Sequence, residues 1–67
     1  MAGSEGTGGA DRLYRAHAEA ALGEYLLELG RAGEAESHLR AAQRTLLELR
    51  GATYPDVVAV GRLLERL

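Results

Sequence analysis

Apolar and polar positions alternate along the chain with a helical period in three separate stretches. Between Arg12 and Leu29, apolar residues fall at Leu13, Ala16, Ala20, Ala21, Leu22, Tyr25, Leu26 and Leu29, mostly three or four apart. Ala35, Leu39, Ala42, Leu46 and Leu49 repeat in alternating steps of four and three, and Val57, Val60, Leu63, Leu64 and Leu67 form a third apolar side. The pattern predicts helices over about 11–29, 34–50 and 55–67. Asp11 is the expected N-cap of the first, and Gly30 suits the left-handed position just past its end. The Gly30-Arg31-Ala32-Gly33 connection is short enough to make the flanking helices antiparallel neighbours. Gly51 ends the second helix, and Pro55 opens the third, where its missing N–H costs nothing. Residues 1–10 are Gly-rich, with Gly3, Gly6, Gly8 and Gly9, and are expected to form a flexible tail.

Composition supports an all-α chain. Alanine and leucine supply 24 of the 67 residues and all eight basic residues are arginine, so strong helix formers dominate. The three valines sit together at 57, 58 and 60, too few for a sheet. Charge is nearly balanced, at 8 basic against 10 acidic side chains, which argues against a nucleic-acid partner. The absence of cysteine removes disulfides and thiolate metal sites. No apolar run approaches the length of a membrane span, and the opening residues lack the pattern of a secretory leader. The cytoplasm is therefore the expected compartment.

The chain also repeats itself. Leu22-Gly23-Glu24-Tyr25-Leu26-Leu27-Glu28-Leu29 matches Val60-Gly61-Arg62-Leu63-Leu64-Glu65-Arg66-Leu67 at an offset of 38 residues. A glycine inside a helix costs about 0.5–1 kcal/mol relative to alanine. Its recurrence at equivalent positions predicts that Gly23 and Gly61 let helix axes come close.

Leu22-Gly23, Tyr25, Gly30, Glu34-Ala35, Ala42 and Pro55 together resemble the tetratricopeptide repeat (TPR) family, and Pro55-Asp56-Val57 is similar to its kinesin-light-chain-like long repeats. Leu39, Ala32 and Gly33 depart from that pattern. The resemblance covers about residues 17–67. It implies one and a half repeat units: an antiparallel hairpin plus a third helix, a fragment of an α-α superhelix. It also implies a non-enzymatic module that binds a peptide or partner protein through a groove. Carried over by register, the groove positions are His17, Ala20, Glu24 and Leu27, with Pro55, Val58, Arg62 and Glu65 as their counterparts on the third helix. Glu24 and Arg62, at equivalent positions, are expected to pair. Ala20 and Glu24 stand where the carboxylate-clamping subgroup uses other residues, so that activity is not expected. The other reading is a self-associating structural hairpin, or an appendage of a larger enzyme or regulator.

Repeat units complete their cores by stacking, and a chain of this size buries only about 60% of its unfolded surface. Leu63, Leu64 and Leu67 are therefore expected to form an exposed association edge, with a homodimer as one outcome. Chemistry for catalysis is sparse. His17 and His38 lie on different helices without metal-ligand spacing, no nucleophile has an activating context, and Gly6-Thr7-Gly8-Gly9 lacks the lysine of a phosphate loop. No cofactor, metal or small-molecule substrate is expected. Tyr14, Tyr25 and Tyr54 read as core or turn aromatics.

Overall fold

The computed structural model describes the backbone of residues 2–67 and the side chains from Ala10 onward. It contains three helices: α1 (Ala2–Glu28), α2 (Ala32–Arg50) and α3 (Pro55–Glu65). The fold is all-α, as the periodicity predicts.

Helix α2 is the centre of the molecule. Its stripe of Ala35, Leu39, Ala42 and Leu46 is wholly buried, each at 0% exposure. Ala16 and Leu26 of α1 and Val57 and Val60 of α3 close over it, and Leu13, Ala20, Leu27, Leu63 and Leu64 pack around the margin. The contacts between α1 and α2 are antiparallel, since residue numbers fall on one helix as they rise on the other: Arg12 meets Glu48, Glu19 meets His38, and Gly23 lies against the Ala35 carbonyl. The same holds for α2 and α3, where Arg50 meets Asp56 and Gln43 faces Gly61. α1 and α3 therefore run in the same direction on α2, as the 38-residue repeat requires of equivalent helices.

Gly23 lies in α1 and is buried beneath α2. A Cβ at this position would sit 2.6 Å from both Leu39 Cγ and Cδ2 and 3.4 Å from the Ala35 carbonyl oxygen. No side chain fits there, which accounts for the glycine. Gly61 differs. Its Cβ would meet only Gln43 Nε2, at 3.7 Å, an ordinary contact, so α3 does not need a glycine to approach α2.

Local signals set the helix ends. Gly30 takes φ +80°, its N–H donates to Leu27 O, and Arg31 N–H donates to Leu26 O at 2.9 Å. This is a Schellman motif, which satisfies two of the carbonyls that a helix end leaves free. Tyr54 is extended before Pro55 (φ −66°, ψ 142°), because a pre-proline residue is pushed out of the helical region. Gly51 has φ +89° and donates its N–H to Leu47 O, closing α2.

The structure departs from the predicted boundaries in three places. α1 begins at Ala2, so backbone that was expected to be a tail continues the helix. Once a helix is nucleated, each added residue contributes its own hydrogen bond, and no proline interrupts this stretch. Asp11 therefore lies inside α1 and does not cap it; its carboxylate meets Arg15 at 3.4 Å, one turn on. Met1 lies outside the described residues. α2 starts two residues earlier than predicted, with Ala35 N–H donating to Arg31 O, and α3 ends at Glu65, beyond which the chain tightens through Arg66 N–H to Leu63 O.

Candidate protein-binding surface

Polar contacts hold the three helices in register. Arg12 donates to Glu48 at 2.7 Å, and His38 Nδ1 pairs with Glu19 Oε2 at 2.9 Å, both between α1 and α2. His17 Nε2 meets Asp56 Oδ2 at 2.9 Å and ties α1 to α3. Asp56 is the junction of all three helices. Val57 N–H donates to its other oxygen at 2.8 Å, and Arg50 Nε of α2 lies 3.1 Å away. Arg50 Nε is buried and makes no aligned hydrogen bond, so it meets Asp56 as a charge. Its guanidinium also stacks 4.7 Å over the Tyr54 ring. The hydrogen bond from His17 holds the Asp56 carboxyl below the ordinary carboxylate range. Partial burial opposes this, while Val57 N–H and the Arg50 charge add to it.

The residues expected to line a groove divide between surface and core. His17 and Glu24 of α1 are exposed, as are Val58, Arg62 and Glu65 of α3, but Ala20 and Leu27 are half-buried against the core. Those two positions serve packing because they share a helix side with Ala16 and Gly23. Val58 and Arg62, with Pro55 and Ala59, line a recess of about 310 Å³. Glu24 and Arg62 form no ion pair among the described residues; α3 packs chiefly on α2 and reaches α1 through its first turn, at Asp56.

The expected association edge is also reduced. Leu63 and Leu64 are half-buried, and of the three leucines only Leu67 is open, at 46%. A short third helix laid along α2 covers its own leucines.

A row of exposed apolar side chains lies elsewhere. Tyr14 (73%), Leu22 (42%) and Tyr25 (57%) are exposed on α1, and Leu29 (51%) just past its end. With Ala18 they make steps of four, four, three and four, a single stripe along one side of the helix. Tyr14, Ala18 and Leu22 also line a recess of about 330 Å³ beside the Glu19–His38 pair. The tyrosines are thus surface aromatics and not core ones. The signal for this was in the sequence. α1 carries two interleaved apolar sets, and Leu13, Ala16, Ala20, Gly23 and Leu27 already suffice for one core face, so the second set is left over.

Among the described residues, no three histidine or acidic side chains converge in a metal-binding group, and no helix is long and apolar enough to cross a membrane. No family model matches the chain, and no curated protein or solved structure matches it.

Proposed function

We propose that this chain is a non-enzymatic protein-interaction module of TPR type, operating in the cytoplasm, which presents α1 to a partner protein or peptide. The observation that carries this reading is the exposed Tyr14–Ala18–Leu22–Tyr25–Leu29 stripe. Contiguous exposed apolar surface marks association, and tyrosine is enriched where proteins bind one another, having an apolar body and a polar tip. His17 and Glu24 are exposed elsewhere on α1, and the recess at Val58 and Arg62 opens on α3. Together they supply polar contacts that would orient a partner.

The test is affinity capture with the wild type, with the triple variant Tyr14→Ser, Leu22→Ser, Tyr25→Ser, and with Glu24→Arg plus Arg62→Glu. Circular dichroism verifies that each is folded. Partners recovered by the wild type and lost with the triple variant support the reading, and equal recovery by all three refutes it. The same stripe supports a second reading, self-association. Sedimentation over a concentration series separates the two, because a dimer that the triple variant dissolves would identify the stripe as a homodimer face.

A further inference from the structure

Counted in sevens, α1 divides between core and water. Leu13, Ala16, Ala20, Gly23, Leu26 and Leu27, all buried or half-buried, share the core side. The opposite seam, Asp11, Tyr14, Ala18, Ala21, Tyr25 and Glu28, is exposed at every position and runs in steps of three, four, three, four and three. Ala21 widens the stripe on the side away from Leu22, toward His17 and Glu24, which lie four residues before it and three after it and are also exposed. Read from either end the seam is the same: acid, tyrosine, alanine, alanine, tyrosine, acid.

We infer that α1 pairs antiparallel with the α1 of a second copy of this chain, about a two-fold axis through the middle of that seam, with Tyr14 on the partner's Tyr25 and Ala18 on the partner's Ala21. The inference rests on the α1 stripe being a binding surface, as proposed above, and names its occupant. A two-fold contact joins the same patch on both copies. A seam with this symmetry satisfies it, since aromatic meets aromatic and small meets small. The central alanines let the two axes approach, and a pair of tyrosine rings closes each end. Charge selects the direction. Antiparallel pairing sets His17 beside the partner's Glu24, an imidazole that accepts a proton against a carboxylate, and it opposes the helix dipoles; a parallel pair does neither. Arg15, 3.4 Å from the Asp11 carboxylate, stands at the end where Asp11 comes near the partner's Glu28. Area sets the strength. A tyrosine buries about 150–250 Å², so two per copy with their small neighbours stay at the lower end of protein interfaces, below about 1,200 Å² in total. The dimer is therefore a weak one, governed by concentration.

Sedimentation equilibrium from about 10 μM to 1 mM, the range that a weak pairing spans, should show the mean mass rising from one chain toward two. Ala21→Glu places a carboxylate in the seam of each copy and should weaken the dimer by at least about tenfold, with the thermal midpoint of the dilute monomer unchanged. The sequence has no cysteine, so an introduced one reports only its own neighbour. Under oxidation, an equal mixture of Asp11→Cys and Glu28→Cys should give chiefly the mixed disulfide, which mass spectrometry resolves. Self-linked Asp11→Cys should be scarce, because the two copies of that position stand 17 residues apart along an antiparallel pair, about 26 Å, where a disulfide spans about 7 Å at most. A chain that stays monomeric throughout overturns the inference, and leaves the binding reading standing if partner capture is still lost with the triple variant. Chiefly self-linked products, or a statistical mixture of the three disulfides, overturn the antiparallel pairing. A dimer indifferent to Ala21→Glu lies on another face and overturns it as well. A dimer that behaves as expected, with equal capture by every variant, upholds the pairing and removes only the foreign partner.

Discussion

Gly23 and Leu39 meet where α1 crosses α2, and a single added carbon on Gly23 would stand 2.6 Å from two carbons of the leucine. Leu39 is wholly buried, so it cannot swing aside into solvent. The glycine, a poor helix former, is retained because the leucine occupies the volume that its side chain would need.

Gly23→Ala should therefore destabilise the protein. Overpacking in a closed core costs about 1–3 kcal/mol, more than the helix-propensity gain of about 0.5–1 kcal/mol. Gly61→Ala meets an ordinary contact and should stabilise by that propensity term. Urea midpoints of the two variants should shift in opposite directions, and a double-mutant cycle with Leu39→Ala should show strong coupling for Gly23 and none for Gly61.

Truncating the centre of the core should be severe. Leu39→Ala removes a wholly buried side chain, at a cost of about 2–5 kcal/mol, a large share of what holds a domain of this size together. Leu29→Ala, in an exposed position, should fall within about 0.5 kcal/mol of the wild type. Loss of a cooperative thermal transition in the first variant and its retention in the second would check this.

Gly30 adopts φ +80°, a conformation that costs an L-residue about 1–2 kcal/mol. Gly30→Ala should lower the thermal midpoint even though nothing lies within 4 Å of its Cβ position. Gly30→Asn should lower it less, because asparagine tolerates the left-handed region.

Acid should weaken the junction of the three helices. The Asp56 carboxyl is held below its ordinary range, chiefly by the hydrogen bond from His17. A carboxylate with a depressed folded-state pKa stabilises the fold fully above its unfolded pKa of about 3.9. That contribution fades as pH falls through the folded value. The stability difference between the wild type and Asp56→Asn, from urea titrations at about pH 6, 4 and 3, should therefore shrink with acidification, most steeply below about pH 4.

Much of the architecture was legible in the residues themselves. The four-and-three spacing of Ala35, Leu39, Ala42 and Leu46 names the buried side of α2, because helical period alone decides which side chains share a face. Gly30 and the Tyr54-Pro55 pair mark their turns, because those backbones restrict φ and ψ locally. The resemblance of Gly23 and Gly61 was equally visible, but their inequality was not. Only the packed molecule decides that Leu39 crowds one while the other meets only Gln43 at an ordinary distance, since this depends on which side of each helix α2 covers. For the same reason the reading of Tyr14 and Tyr25 as core or turn aromatics fails, as α1 is apolar on two sides and α2 covers the other one. The junction of His17, Arg50 and Asp56 brings together residues up to 39 positions apart, and no local rule relates them until the three helices lie side by side.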